Sequence, residues 1–408
     1  MDLAMALAVL FFCLLLLSSA AIAFLLLRHA LSALRRCRRN TDGDIEEDAG
    51  RRQLPPLSPP QQELPFLPAV DTTTTKLLLL SDKKEEGEPP RKLTWREVEA
   101  LTGGFDEAAV VGRGGSSTVY LAARSPAAPV AVKVHRWCGG ERWLRAFRQE
   151  LDLLRRLRHP HIVSLLAYSD DHEEGGALVL EYLSGGTLAD RLHGGAAPPL
   201  PWRHRMRIVH DVAGALEHLH DGLGGAPPVV HGDVSASNVL LDGRGLGARL
   251  CDLGSACEGF SAAVAPTRAA VGSPGYVDPF FLRTGIVSKK SDVYSFGVLL
   301  LEAITGSPAA GMPGPDGAGG GNLTARLLPR VRTEGVEGLV DRRLGDDYDA
   351  AEAGDVARIG IECLAAQPGL RPAMAQVRAA IAEKAARSIS IAAAAAGDHS
   401  ELHGSNST

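Results

Sequence analysis

The sequence has little of several features that mark other protein classes. Its six cysteines form no CxxC pair and no metal-ligand spacing, which predicts reduced thiols in a cytosolic domain. The formal net charge of −5 provides no bulk positive potential, so nucleic acid is not an expected partner. No repeat of solenoid period is visible. The length of 408 residues therefore predicts one large two-part domain with extensions.

Charged residues are also missing from one stretch near the N-terminus. The sequence from Leu3 to Leu27 is apolar, and as a helix it would be roughly 37 Å long, more than the roughly 30 Å hydrocarbon core of a bilayer. Arginines follow at positions 28, 35, 36, 38 and 39. The positive-inside rule then predicts a single transmembrane helix at 3–27, with the rest of the chain in the cytoplasm.

A cleaved signal peptide is the alternative interpretation of residues 3–27. Signal peptides begin with basic residues and have a shorter apolar core, whereas the arginines here follow a long core. A retained anchor in contact with the lipid bilayer fits better, with no ectodomain to bind a ligand. The expected location is a single-pass protein of the plasma membrane with a cytoplasmic domain.

Composition divides the rest of the chain into three parts. Residues 28–92 carry an acidic patch and many prolines, and predict a disordered juxtamembrane linker. Residues 93–385 predict a folded domain, and residues 386–408 a disordered tail. Strand patterns dominate about 105–183, and helical patterns dominate about 184–382. A small strand-rich lobe followed by a larger helical lobe is an α+β arrangement.

The predicted elements of the folded part follow from local signals. Thr94 and Glu97 predict a capping box for a helix that ends at Leu101. Apolar periodicities of two and 3.6 residues predict the other strands and helices. The predicted strands cover 109–121, 129–135, 162–168 and 177–183. The predicted helices cover 141–157, 202–220, 291–306, 323–332 and 352–365.

A glycine-containing turn between the first two predicted strands is a candidate phosphate site. Glycine has no Cβ, so backbone N–H groups can approach phosphate oxygens closely. Taken alone, such a turn is more often only a tight hairpin. The segment consists of Val111, Gly112, Arg113, Gly114, Gly115, Ser116, Ser117, Thr118 and Val119.

Lys133 is a charged residue in an otherwise apolar predicted strand and needs a negative partner there. Glu150, in the helix predicted at 141–157, is the candidate. An ion pair between them would place the ammonium group beneath the glycine turn. The alternative is a pair of ordinary exposed charges. Pairing is favoured if the strand is buried, because an unpaired interior charge costs several kcal/mol.

Three polar residues in two later segments suit acid–base and metal chemistry. Asp233 and Asn238 share one predicted loop and can face the same cavity. A carboxylate can accept the proton of a substrate hydroxyl, and an amide oxygen can bind a hard metal ion. Asp252 ends a predicted strand and precedes a Leu-Gly pair. It suits Mg²⁺, which binds through few carboxylates together with nucleotide phosphates.

These pieces occur in the order and spacing of the protein-kinase signature set. Residues 272–279 also resemble the end of an activation segment, and 291–302 the central helix of the large lobe, in which Asp292 would brace the catalytic loop. Residues 93–382 thus resemble plant receptor-like kinases related to the Pelle family. The resemblance implies a bilobal protein kinase fold, ATP and Mg²⁺ as cofactors, and protein serine/threonine residues as substrates.

The resemblance also implies how the nucleotide would bind. The turn from Val111 to Val119 would cover the ATP phosphates. Val119, Ala131 and Leu240 would enclose the adenine ring. Glu181 and Leu183 would offer backbone groups to its edge.

Catalytic roles are implied in the same way. Lys133 would hold the α- and β-phosphates and would be oriented by Glu150. Asn238 and Asp252 would bind Mg²⁺. Asp233 would orient the substrate hydroxyl and accept its proton. In this family such groups act mainly by positioning and by neutralising charge.

Four positions depart from the family's pattern. Ser117 replaces the third glycine of the loop. Gly232 replaces an arginine that pairs with a phosphorylated activation segment, and Ser235 replaces a lysine that touches the γ-phosphate. Phe280 replaces a glutamate whose partner would be Arg371, so that arginine needs another carboxylate.

The departures leave two interpretations open. Losing one preorganised donor typically slows a reaction by about 10²–10³, while Lys133, Asp233 and Asp252 are all present. A weak or selective active kinase is therefore favoured. The alternative is a pseudokinase scaffold, with or without bound nucleotide, that docks onto another receptor-like kinase at the membrane and regulates it.

Overall fold

The computed structural model describes residues 89–401 with short internal gaps. The gaps are 116, 126–127, 138–140, 171–172, 174, 195–197, 223–226, 244–246, 260–262, 265–271, 312–320 and 335–337. The predicted anchor at 3–27 and residues 28–88 of the predicted linker lie outside the described residues. In the described part, no helix has both the length and the apolar character to cross a membrane.

The first lobe is a six-stranded sheet flanked by two helices. Helix α1 (Trp95–Leu101) begins with the predicted capping box of Thr94 and Glu97, and α2 covers Glu141–Arg156. The strands are β1 (Arg91–Lys92), β2 (Val110–Arg113), β3 (Ser117–Ser125), β4 (Ala128–Arg136), β5 (Leu165–Ser169) and β6 (Gly175–Glu181). Their order in the sheet is β1-β5-β6-β4-β3-β2.

Strand β1 corrects the predicted extent of the linker. Residues 91–92 were expected to be disordered, but they pair in parallel with β5. The next residue, Leu93, is buried, and its amide donates a hydrogen bond to the carbonyl of Tyr168 at 2.7 Å. A two-residue strand has no periodicity of its own, so only this pairing reveals it.

The alternation of β4 places the candidate lysine. Val130, Val132 and Val134 are buried in a cluster on one face of the sheet, with Leu93 and Val98 of the N-terminal segment. Successive side chains of a strand point to opposite faces. Lys133 therefore lies on the other face, toward α2.

The second lobe is mainly helical. It contains α3 (Leu188–His193), α4 (Trp202–Asp221), α5 (Pro279–Thr284), α6 (Lys289–Thr305), α7 (Leu323–Glu334), α8 (Ala350–Cys363), α9 (Met374–Lys384) and α10 (Ala386–Glu401). Most of α6 is buried, as its apolar character all round predicts. Three short antiparallel pairs of strands lie in the segments between the helices. They are β7 (Val229–Val230) with β10 (Cys257–Glu258), β8 (Val239–Leu241) with β9 (Ala248–Leu250), and β11 (Ala263–Val264) with β12 (Ile286–Val287).

Helix α10 shows that the predicted disordered tail is wrong for residues 386–401. The amide of Ser388 donates to Glu352 of α8 at 3.3 Å, and its hydroxyl bonds to the same carboxylate. The indole N–H of Trp202 also donates to Glu352, at 3.1 Å. Alanine has the highest helix propensity and its small side chain permits close packing, as at the buried Ala392. Residues 402–408 lie outside the described part.

The substitution at Phe280 is compensated by a neighbouring residue. The guanidinium of Arg371 donates to both carboxylate oxygens of Asp278, at 2.7 and 2.8 Å, and both side chains are buried. Asp278 also caps α5 by accepting from the amide of Phe280 at 2.8 Å. Arg371 therefore has its buried ion pair, two residues before the position where the family's pattern puts the carboxylate.

We predict that Asp278→Ala lowers the free energy of unfolding by about 3–5 kcal/mol, because it leaves the guanidinium of Arg371 buried and unpaired. Urea unfolding of the purified protein measures this. Asp355→Ala is the matched control, since its ion pair with Arg358 lies at the surface and should contribute less than about 1 kcal/mol. Equal effects of the two substitutions would contradict the assignment.

Candidate active site

Lys133, Glu150 and Asp252 meet where the two lobes face each other. The ammonium group of Lys133 donates to both carboxylate oxygens of Glu150 at 2.9 Å and to Oδ1 of Asp252 at 2.9 Å. The side chain of Glu150 is 1% exposed, whereas that of Asp252 is 45% exposed. The predicted pair of Lys133 and Glu150 is therefore present and buried, and Asp252 extends it toward solvent.

Within this triad, the charges of Lys133 and Asp252 stabilise each other, whereas burial and the charge of Asp252 raise the pKa of Glu150. Burial alone would lower the pKa of Lys133, but the carboxylates of Glu150 and Asp252 raise it above its usual value. Burial alone would raise the pKa of Asp252, and the charge of Lys133 outweighs this and lowers it. Both groups are therefore ionised at neutral pH. A charged pair in the interior is retained only where the partners neutralise each other.

The glycine turn lies between β2 and β3. Gly112 pairs with Val119, and Arg113 with Thr118, before the amide of Gly114 donates to the carbonyl of Ser117 at 2.8 Å. Gly114 and Gly115 are exposed at the tip, while Ser116 lies in a gap of the described chain. The turn is therefore a hairpin at the edge of the sheet. Strand β3, which follows the turn, lies next to β4, the strand that carries Lys133.

The predicted adenine residues belong to adjoining strands. Ala131 of β4 pairs with Leu180 of β6, next to Glu181, and Val119 pairs with Lys133. Val119, Ala131 and Leu240 are only half-buried although most of their strand neighbours are fully buried. Partial exposure of apolar side chains is what the lining of an open cleft requires. Leu183 follows β6 and is buried.

A second cluster forms around Asp233. The amide and hydroxyl of Ser273 both donate to Oδ1 of Asp233, at 2.7 and 2.8 Å. The side-chain amide of Asn238 donates to Oδ2 and to the carbonyl of the same residue, at 3.1 and 2.8 Å. Both bonds use Nδ2 of Asn238, which leaves its amide oxygen for a metal ion. The loop thus holds Asp233 and Asn238 together, and the amide of Cys251 donates to the carbonyl of Asn238 at 2.9 Å, next to Asp252.

A small cavity of about 50 Å³ adjoins Asp233. Its polar wall includes Gly232 and Ser273, and its apolar wall includes Val277, Phe281 and Val287. The lining also includes the carboxylates of Asp233 and Asp278, so the cavity has both polar and apolar walls.

Gly232 has a backbone conformation that explains its identity. Its φ is +79°, and its amide donates to Oδ1 of Asp292 at 2.9 Å. The amide of His231 and the ring of His220 contact Oδ2 of Asp292 at 2.8 Å each. Asp292 therefore braces the loop from α6, as predicted. A Cβ on Gly232 would lie 2.6 Å from the carbonyl oxygen of Ser255, so glycine fits here without strain.

Ser235 does not occupy the cleft. Its side chain is fully buried, and its hydroxyl has no hydrogen-bond partner among the described residues. Its carbonyl accepts from the amide of Asn238 at 3.0 Å and so turns the loop. Ser235 therefore helps to shape the loop and presents no positive charge to a phosphate.

A polar chain that the sequence did not predict lies beneath the catalytic loop. The hydroxyl of Tyr276 accepts from the amide of Ala236 at 3.1 Å and donates to Glu302. The ring of His193 lies 2.7 Å from the other carboxylate oxygen of Glu302. One signal was available, because a glutamate within an apolar helical run needs a partner.

Comparison with known proteins identifies the family of this chain. A model of the protein kinase domain matches residues 105–323, more than half of the chain. The chain belongs to the protein kinase family. The sequence-based prediction of a protein serine/threonine kinase is therefore confirmed at the level of family and enzyme class.

Three relatives show which kinases are similar. The salt tolerance receptor-like cytoplasmic kinase 1 of Oryza sativa subsp. japonica is 51% identical over 302 residues, 72% of this chain and 80% of that protein. A probable receptor-like protein kinase of Arabidopsis thaliana is 40% identical over 304 residues, 70% of this chain and 85% of that protein. A probable LRR receptor-like serine/threonine-protein kinase of Arabidopsis thaliana is 36% identical over 290 residues, 70% of this chain and 32% of that protein.

Two histidines of the kinase are held neutral. Burial, followed by the charge of Lys133, lowers the pKa of His135 to about 3. Burial, followed by the neighbouring His218 and His161, lowers the pKa of His159 to about 4. The rings of His159 and His218 stack with centroids 4.7 Å apart, so protonation of both would place two positive charges in contact.

We predict that Gly232→Ala lowers the free energy of unfolding by about 2–3 kcal/mol, because it adds a close contact with Ser255 to the cost of positive φ. Gly285→Ala is the matched control: its φ is +70° but a Cβ there would meet nothing within 4 Å. It should cost about 1–2 kcal/mol. Urea unfolding of both variants compares them, and a smaller loss for Gly232→Ala would count against the strained loop geometry.

We predict that stability falls as the pH drops below about 6.5, the ordinary histidine pKa in the unfolded chain. Because the folded pKa of His135 is about 3, the unfolded state binds more protons in this window and is favoured by acid. His135 contributes up to about 1.4 kcal/mol per pH unit. His135→Leu should make the dependence shallower between pH 6 and 4, as measured by urea unfolding, and leave it unchanged above pH 7. Parallel profiles would refute the assignment.

Proposed function

We propose that this kinase transfers the γ-phosphate of Mg·ATP to serine and threonine hydroxyls of proteins. The observation that supports the proposal is that the candidate catalytic residues lie close together. Lys133, Glu150 and Asp252 are in direct contact, and the loop holding Asp233 and Asn238 is hydrogen-bonded to the residue next to Asp252. These groups come from segments far apart in the chain and face one cleft.

The residues present fit Mg²⁺ and a nucleotide. Asp252 keeps a 45% exposed, ionised carboxylate beside a buried ammonium group, and Asn238 supplies a neighbouring amide oxygen. Carboxylate and amide oxygens are the ligands that Mg²⁺ prefers. Lys133 would hold the α- and β-phosphates, and the backbone from Gly112 to Ser117 would cover them. When bound, the metal ion neutralises charge that develops on the transferred group.

Asp233 is the proposed acceptor of the proton from the substrate hydroxyl. Its Oδ1 is oriented by two bonds from Ser273, so the carboxylate is positioned before substrate arrives. The substrate hydroxyl oxygen forms a bond to the γ-phosphorus while the bond from that phosphorus to the bridging oxygen of ADP breaks. Asp233 accepts the proton that the hydroxyl releases. Positioning of this kind accounts for most of the acceleration in phosphoryl transfer.

We propose further that residues 3–27 anchor the kinase in the plasma membrane, with its catalytic domain in the cytoplasm. The support is sequence composition alone: a long apolar stretch followed directly by arginines. Protein substrates, and another receptor-like kinase at the membrane, are the proposed partners.

Ser235 favours a second candidate function. A buried serine in place of a lysine removes one donor near the transferred phosphate, which agrees with a pseudokinase scaffold that binds nucleotide but acts by docking. The intact Lys133, Glu150, Asp252 and Asp233 contacts favour transfer at a reduced rate, because a scaffold alone does not require Asp233 to be aligned.

We predict that the full-length protein, purified in detergent, incorporates labelled phosphate from Mg·ATP into itself or a generic protein substrate. Asp233→Asn should slow transfer at least about 10²-fold, while Mg·ATP still raises the melting temperature of this variant. Asp252→Asn should lose both transfer and the thermal shift. If the wild-type protein and Asp233→Asn show the same thermal shift and neither transfers phosphate, the scaffold function is correct instead.

A further inference from the structure

Helix α2 is attached to the activation segment at a second point. Arg156, in the last turn of α2, donates from Nη2 to Glu258 at 2.6 Å and to Asp152 of its own helix at 2.7 Å. The first attachment is the contact of Lys133 with Glu150 and Asp252. Residues 252–258 therefore contact α2 at its middle and again at its C-terminal end.

The second attachment also reaches the catalytic loop. Glu258 is part of β10, and its backbone pairs with Val229 of β7 while Cys257 pairs with Val230. Strand β7 leads directly into His231 and the loop of Asp233. Arg156 thus connects the helix that carries Glu150 to the strand that precedes the candidate catalytic base.

We propose that Arg156 is a positioning residue that holds α2, and with it Glu150, against the activation segment through Glu258. The inference rests on the proposed function for its effect on rate. It goes beyond that function in identifying a contact, outside the nucleotide site, that keeps the site assembled.

The negative partner in this contact is permanent. Glu258 carries its charge without modification, whereas a phosphorylated activation segment would need a cation to receive it. Gly232 supplies none, and the described residues that line the cavity beside Asp233 include no lysine or arginine. The contact of Arg156 with Glu258 therefore does not itself depend on a phosphate on the activation segment.

The contact is sensitive to ionic strength. The side chains of Arg156 and Glu258 are 37% and 29% exposed, so solvent ions reach them. At high salt concentration the Debye length falls to a few ångströms, so dissolved ions weaken the attraction between exposed charges. A surface pair also contributes modestly, which limits the expected change in rate to about fivefold.

The experiment compares full-length variants in detergent, treated with phosphatase before the assay. Arg156→Gln should lower kcat/KM for ATP about fivefold, and Arg156→Lys should retain most activity because both bonds come from one nitrogen. Arg156→Glu should be worse than Arg156→Gln, and combining it with Glu258→Arg should restore the rate. Arg148→Gln, an exposed arginine on the same helix, is the matched control and should change nothing.

Two readouts separate positioning from general stability. Raising NaCl from 0.05 to 0.5 M should slow the wild-type protein about threefold more than it slows Arg156→Gln. Hydrogen exchange of α2 amides without nucleotide should be faster in Arg156→Gln than in Arg148→Gln. The exchange comparison needs no activity, so it tests the contact even if the protein transfers no phosphate.

Three outcomes would overturn the proposal. The first is an Arg156→Gln protein with wild-type kcat/KM and wild-type exchange in α2. The second is a charge swap that fails to restore what Arg156→Glu lost. The third is loss of wild-type activity on phosphatase treatment, which would show that a phosphate is required. A wild-type protein that transfers no phosphate under any condition would instead refute the proposed function.

Discussion

The ammonium group of Lys133 lies between two carboxylates in the interior, and much of the structure depends on that contact. An unpaired ion there would cost several kcal/mol. Three segments must therefore arrive together: β4 with Lys133, α2 with Glu150, and the start of the activation segment with Asp252. The same requirement sets the relation of the sheet to α2. If both carboxylates moved away, the lysine would be left buried without a counter-charge.

The positions that depart from the family's pattern behave differently from one another. Gly232 is consistent with its surroundings, because φ is +79° and a side chain would strike Ser255. Asp278 replaces the missing glutamate as the partner of Arg371. The hydroxyl of Ser235 is buried without a hydrogen-bond partner in the described part, and the side chain supplies no cation. The surrounding structure therefore accounts for Gly232 and for the loss of the glutamate, and gives no such account of Ser235.

The carboxylates outside the nucleotide site show a common arrangement. Asp292 receives the backbone of the catalytic loop, Glu302 receives Tyr276, and Glu258 receives Arg156. Asp292 and Glu302 connect loops to α6, which is otherwise mostly apolar, whereas Glu258 connects strand β10 to α2. A buried or half-buried carboxylate needs donors, and here the donors are backbone amides, a tyrosine hydroxyl and a guanidinium group. These contacts hold the segments that carry the reacting groups in fixed positions against the core.

The sequence by itself determined the two lobes, the capping box of Thr94, and the identity of the residues around the cleft. Periodicity and motif spacing are local, so one chain is enough to read them. Only the tertiary structure decided that Asp278 pairs with Arg371, that residues 386–401 form a helix on α4, and that Arg156 reaches Glu258. Those contacts join residues distant in the chain, and each depends on geometry that spacing does not encode. The same limit explains why an alanine-rich segment was predicted to be disordered: its order comes from the surface on which it packs.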